Sequence, residues 1–349
     1  MHYLSLKGKF FCLLIIIKYL IKTMIQTAEA VTRAHPDKVC DQISDAVLDF
    51  CLKHDPYSRV GIETLGGHGN IVLTGEITTN APITKEVYEK IAREVYKDNG
   101  YTDDVDLSVY ISEQSHEIKK GVDNEGAGDQ GIMVGYATNE TPEFMPLEMS
   151  LARKLVRSMG RHDGKAQVTL ENDRIINVIT SLCESGDLSD VKLDEVFEKE
   201  IAQYIDGDIS KIWMKNPNGK WKIGGFAADA GLTGRKIVVD AYGPRVAVGG
   251  GAFSGKDATK VDRSAAYMAR KIAVDYINKG AKEAEVKIAY AIGYPEPLSA
   301  TALVDGKIEK IKNYDLRPQA IIELLNLRNP QFYQTAQYGH FGNEFTWDK

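Results

Sequence analysis

The sequence predicts an α+β fold, with mixed α/β as the neighbouring class. Two observations point there: short β-branched runs bounded by Gly, Asn and Asp, and amphipathic helical patterns that interleave with them in clusters. No internal repeat is visible. The 349 residues allow two or three domains and a sizeable core, and the hydrophobic and charged fractions are those of a globular protein. A net charge of −6 argues against non-specific nucleic-acid binding but permits a local basic pocket. Cys12, Cys40, Cys51 and Cys183 are scattered without a CxxC pair, which favours reduced thiols in the cytoplasm over a disulfide frame or a zinc site.

Residues 1–23 are expected to be an extension outside the fold. Lys7 and Lys9 precede an apolar run that is too short to span a bilayer and is interrupted by Lys18 and Lys22. The rival reading is a signal peptide, with Ala28-Glu29-Ala30 as its small-x-small site. A second methionine, Met24, begins sequence of ordinary soluble character.

His35-Pro36-Asp37-Lys38 opens a helix, since proline suits its first turn and Asp37 its positive end. His35 and Asp37 then sit where backbone N–H groups receive an anion, although a histidine there also reads as a plain cap. Runs 59–65 and 70–79 read as paired strands across Gly66-Gly67-His68-Gly69, carrying Glu63 and Glu76. A helix is expected over 84–97 and a strand over 107–111. The polar stretch 112–125, ending in Gly126-Ala127-Gly128-Asp129-Gln130-Gly131, reads either as a linker or as a lid hinged at Gly121 and Gly126. Further on come a helix at 143–159, a hairpin of 165–171 with 175–182, a helix at 190–205 and a turn at 216–219. A helix over about 258–279, two strands within 285–304, a helix at about 317–327 and an irregular aromatic end at 331–349 complete the chain.

The stretch 225–263 organises the rest. Lys236 to Tyr242 reads as a strand, flanked by Asp229 and Arg235 on one side and by Gly249-Gly250-Gly251 on the other. Arg235, Lys236, Lys256 and Lys260 stand with several aspartates on glycine-rich backbone, which suits a polyphosphate and its metal ions. Gly250 to Lys256 has the Walker A spacing, but Asp257 stands where that motif needs a hydroxyl. A glycine-rich hairpin with surface lysines is the plain alternative.

From about Met24 onward the chain resembles the S-adenosylmethionine synthetase (methionine adenosyltransferase) family. The resemblance is carried by His35-Pro36-Asp37-Lys38 with Asp41 to Ala46, Gly75 to Thr79, Gly126 to Gly131 leading into Gly135 to Glu140, Gly231 to Lys236, Gly249 to Ser264, and Tyr338 to Gly342. It implies three similar subdomains about a pseudo-threefold axis, here 24–121, 126–223 and 225–349 with exchanged segments. It also implies ATP and L-methionine as substrates, two Mg²⁺ per active site, K⁺, and a homodimer or homotetramer whose subunits share active sites, with neither nucleic acid nor membrane as partner. By residue match, His35, Lys165, Arg235 and Lys256 are catalytic, and Asp163, Gly164, Lys220, Trp221, Asp229, Lys236 and Ala252 join them on ATP. Glu76, Gln114, Asp229 and Lys260 fall on methionine, Asp37 and Asp262 on Mg²⁺, and Glu63 on K⁺. Sulfur needs no general base, so the residue inventory suits alignment and charge stabilisation.

The chain departs from the family pattern in places. Thr32-Arg33-Ala34 replaces the usual Ser-Glu-Gly and reverses a charge, His116-Glu117 alters the gate, and the segment before Gly126 is shorter. Tyr242-Gly243-Pro244-Arg245 and Val248 replace a glycine pair and a histidine. These changes leave room for a non-catalytic nucleotide-binding homologue or regulatory subunit, and Gly250 to Lys256 alone for a phosphate-loop NTPase.

Overall fold

A computed structural model describes residues 25–113 and 126–349. Along the chain run β1 (Ile25–Val31), α1 (Pro36–His54), β2 (Arg59–Gly67), β3 (Asn70–Thr78), α2 (Lys85–Asp98) and β4 (Asp106–Ser112). Next come β5 (Gly131–Thr138), α3 (Leu147–Arg157), β6 (Gly164–Glu171), β7 (Arg174–Leu182), α4 (Leu193–Val196), α5 (Ile209–Ile212) and β8 (Trp213–Lys215). The remainder holds β9 (Gly231–Leu232), α6 (Ile237–Asp240), α7 (Val261–Asn278), β10 (Glu283–Tyr290), β11 (Ser299–Val304), β12 (Lys307–Lys310), α8 (Pro318–Leu324) and α9 (Phe332–Tyr338).

The strands form three four-stranded sheets, ordered β1-β6-β7-β8, β4-β3-β2-β9 and β12-β11-β10-β5. Each sheet includes a strand distant in sequence from its neighbours. β1 pairs with β6, β9 with β2, and β5 with β10, all antiparallel. One face of each sheet is covered by a helix: α3 lies on β1 and β6, α1 on β2, and α7 on β5 and β10. Alternation along the strands places Val60, Ile62, Ile71 and Leu73 against α1, and these join one continuous apolar core. The α+β class expected from the sequence is the class found, in three units.

The expected helices and hairpins are present within a few residues of their predicted ends, with five differences. The Lys236–Tyr242 run is not a strand. It contains the single helical turn α6, because Arg153 donates to the carbonyls of Val239 and Ala241 at 3.0 and 2.8 Å while Asp240 pairs with Lys38. Those partners override the β-branched preference. The expected helix 190–205 breaks after Val196 into a π turn and a 3₁₀ turn. The C-terminal segment is not wholly irregular: α9 forms there, its first amide groups received by Asp49. Strands β1, β5, β8 and β9 lie in stretches where no strand is expected, and β12 adds a third strand beyond β10 and β11. The turn between β2 and β3 is the two residues His68-Gly69, both at positive φ.

Candidate active site

The register of β1 on β6 opposes Val31 to Lys165, and Thr32 N–H donates to the Gly164 carbonyl at 3.0 Å. The chain leaving β1 therefore turns into α1 directly beside Lys165. His35, buried, is the N-cap: its Nδ1 accepts from Asp37 N–H at 3.2 Å, which leaves the proton on Nε2. The site begins here. A cavity of about 510 Å³ is lined by His35, Asp163, Gly164, Lys165, Lys220, Trp221 and Asp229. Gly164 is required by close approach, since a Cβ there would meet the Ser181 carbonyl at 2.6 Å. Asp163, buried, accepts from Gly225 N–H at 2.9 Å, and burial raises its pKa to about 6.

Beside the cavity, Asp37 collects partners at the end of β9. Its Oδ1 accepts from Leu232 N–H at 3.0 Å and lies 3.3 Å from Arg235 Nε, and its Oδ2 meets the Lys236 ammonium. Burial works to raise the Asp37 pKa, but the bonds from Lys236 and Leu232 outweigh it and the carboxyl stays ionised. Burial, reinforced by Lys236, Lys165 and Lys38, lowers the pKa of His35 to about 3, so its imidazole is neutral at physiological pH. The result is a neutral Nε2–H donor ringed by fixed cations.

A second constellation lies at the other end of β2. The loop 255–257 is laced to that strand: Ile62 N–H donates to Gly255, Asp257 N–H to Val60, each at 3.0 Å. Asp257, the residue that spoils the Walker A match, accepts from Val60 N–H at 2.7 Å and pairs with Lys260. The glycine-rich loop thus extends a sheet edge, and α7 begins only at Val261. Lys256 lies 2.6 Å from Asp262, and Glu63 shares the open face of the sheet with Glu76. Burial and the Glu76 charge raise the Glu63 pKa, with Lys256 and Lys260 opposing.

Within one chain, then, the candidate residues form two groups. His35, Asp37, Asp163, Gly164, Lys165, Lys220, Trp221, Asp229, Arg235 and Lys236 make the first; Glu63, Glu76, Lys256, Lys260 and Asp262 make the second. Ala252 sits between them in sequence, against Gly234. Leu65 at the β9 end of β2 and Gly61 at the Lys256 end are separated by roughly 13 Å of strand. The two candidate metal acids, Asp37 and Asp262, fall in different groups. Gln114 and the altered gate residues lie outside the described residues, as do residues 1–23. Among the described residues no three His, Cys, Asp or Glu side chains converge. A Mg²⁺ ion at Asp37 or Asp262 would draw its remaining oxygens from phosphate and water, the usual manner for that ion. Asp262 is partly exposed and fits it directly, whereas Asp37 is buried and would first have to exchange the Lys236 ammonium for the ion.

Sequence reasoning missed what holds these groups in place. Asp37, Asp41, Asp45 and Asp49 recur every four residues along α1, and each receives a different segment: Leu232 N–H, Gly234 N–H, Gly255 N–H and the amides of 331–333. Asp41 also pairs with buried Lys38 at 2.9 Å, and Arg263 grips Asp45 at 2.6 Å. Acids repeating at helical spacing among the apolar positions of α1 were the readable signal. Arg33 is not among the residues that line the His35–Lys165 cavity. It pairs with Asp98 and donates to Asn99 Oδ1 at 2.9 Å and Tyr333 Oη at 3.0 Å. Arg245 from the altered segment pairs with Glu140 and Glu148, each at 2.7 Å.

The chain matches the models of the S-adenosylmethionine synthetase N-terminal domain over residues 23–124, the central domain over 124–221 and the C-terminal domain over 223–349. It is 44% identical to the S-adenosylmethionine synthase of Brachyspira hyodysenteriae, with 94% of this chain and 96% of that protein covered. The enzyme of the same name from Clostridium tetani is 43% identical over 92% of this chain and 96% of its own. That of Mesoplasma florum is 41% identical over 93% and 96%. A neutral histidine at a helix start, cations around a cavity and three sheets joined by exchanged strands occur here with three family domains in order: the chain belongs to the S-adenosylmethionine synthetase family.

Proposed function

We propose that this protein is a methionine adenosyltransferase. The methionine sulfur attacks C5′ of ATP and becomes a sulfonium, the C5′–O5′ bond breaks, and its electron pair leaves on tripolyphosphate. Water then cleaves the tripolyphosphate to phosphate and diphosphate. The observation that carries this is the cavity where His35, Asp163, Lys165 and Trp221 converge beside the Asp37–Lys236 pair.

Trp221 offers a face for adenine in a cavity that Asp163 and Lys220 also line. His35, neutral and with its proton on Nε2, donates to the departing oxygen, and Lys165 supplies a fixed charge there. Arg235, Lys236 and Lys256 neutralise the phosphates, since guanidinium and ammonium groups bind phosphate strongly. Glu76, Asp229 and Lys260 serve the charged ends of methionine. Asp37 and Asp262 would hold the two Mg²⁺ ions, which would supply neutralisation of the phosphate charge, and Glu63 would contribute to a K⁺ site.

A homodimer, alone or paired into a tetramer, brings the first group of one protomer to the second group of its partner. Exposed Leu65 and Leu232 and the uncovered sheet face bearing Glu63 and Glu76 supply an interface. Among the described residues no helix is long and apolar enough to cross a membrane. Purified protein with ATP, methionine, Mg²⁺ and K⁺ yields S-adenosylmethionine, phosphate and diphosphate on this reading; no product across varied ion conditions would overturn it. Mixing Lys165→Ala with Lys256→Ala protomers tests the shared site, because one intact site forms in each mixed dimer. Activity that never rises above that of either variant refutes sharing.

A further inference from the structure

We propose that Asp45 and Arg263 are positioning residues that set the ammonium of Lys256 for polyphosphate. This rests on the reading of Lys256 given above. Both side chains are fully buried and neither reaches the open face. Arg263 donates from Nη1 to Asp45 Oδ1 at 2.6 Å and from Nη2 to Asp45 Oδ2 at 2.9 Å. The same Nη1 donates to the Lys256 carbonyl at 3.0 Å, and Asp45 Oδ1 accepts from Gly255 N–H at 2.8 Å. The pair therefore grips the amide just before Lys256 and the carbonyl of Lys256 itself. Its remaining donors are used: Nε to Tyr267 Oη at 3.0 Å and Nη2 to Thr335 Oγ1 at 3.1 Å.

On the strand side, Gly255 stands at φ +81, and a Cβ there would lie 2.0 Å from the Ile62 carbonyl. The loop is thus seated against β2 on one side and held from beneath on the other. Lys256 emerges from this mount onto the open face, partly exposed, beside Asp262. A buried ion pair is weak evidence for stability, since well-packed apolar residues do as well. What an apolar pair lacks is a planar fork whose bonds fix the direction of a carbonyl. That geometry is what aiming a lysine requires.

A double-mutant cycle tests this, using D45N, K256A and D45N/K256A in the full-length protein. Asp45→Asn is isosteric and removes the charge. It is expected to lower kcat about 10²-fold. It also weakens inhibition by inorganic tripolyphosphate with Mg²⁺, while the KM for methionine stays within about twofold of wild type. In the K256A background the same substitution costs nothing further. A full additional loss in the double variant, or a normal kcat in folded D45N, overturns the proposal. Should D45N fail to fold, R263K replaces it, keeping the charge and losing the fork. If neither variant folds, the pair serves the fold and the proposal falls. Should wild type make no S-adenosylmethionine, the functional reading fails instead, and tripolyphosphate binding by wild type and D45N still tests the pair.

Discussion

Replacing Asp163 by Asn is expected to make the protein more stable and less active, by an amount set by pH. Asp163 is 7% exposed, and burial raises its pKa from 3.8 to about 6. For an acid whose pKa is raised on folding, the folded state holds the proton more tightly than the unfolded one. Stability is then full below the unfolded pKa and falls as pH rises through the folded pKa. The shift of 3.8 to about 6 costs about 3 kcal/mol once both states are ionised near pH 8, and about half of that at pH 5. Asparagine avoids this cost and keeps an oxygen to accept the Gly225 N–H. Denaturant unfolding of both proteins between pH 5 and pH 8 measures the difference, in which other titrating groups cancel. The advantage of D163N should grow by roughly 1.5 kcal/mol across that range, while its kcat/KM for ATP falls. A difference that stays flat with pH, or a wild type more stable at pH 8, would refute the burial argument.

Three further outcomes follow from the site. Lys256→Ala should lower kcat by about 10²–10³-fold and shift unfolding by no more than about 1 kcal/mol, because its pair with Asp262 is partly exposed; near wild-type turnover would remove Lys256 from the phosphates. His35→Asn keeps a good N-cap for Asp37 N–H but withdraws the Nε2 donor, so folding by circular dichroism should persist while kcat drops about 10²-fold. Arg33→Glu places a carboxylate against Asp98 and forfeits the bonds to Asn99 and Tyr333. It should destabilise by about 1–3 kcal/mol and leave the KM for ATP nearly unchanged; a large change in that KM with normal stability would put Arg33 at the phosphates after all.

Local rules located most elements. Pro36 and Asp37 mark the start of α1, and alternation with a glycine-rich turn marks β2 and β3. They failed where distant groups decide. Val238 and Val239 favour a strand until Arg153 and Lys38 capture the backbone and carboxylate around them. Gln331 to Tyr338 looks shapeless until Asp49, far earlier in the chain, receives its amides. At the site, family likeness located the charged residues, while composition alone left a phosphate loop as an alternative. That alternative is a poor fit to a loop tied as a strand to β2 by Asp257.

By itself the amino-acid order determined the fold class, the family, and which charged and aromatic side chains are available for chemistry, because periodicity and motif are local properties. Only the tertiary structure decided that those side chains fall into two groups at opposite ends of one strand, and that a row of aspartates on α1 holds them there. The physical reason is burial. An aspartate at helical spacing is an ordinary surface residue until folding removes its water, after which it must find amides and cations elsewhere in the chain.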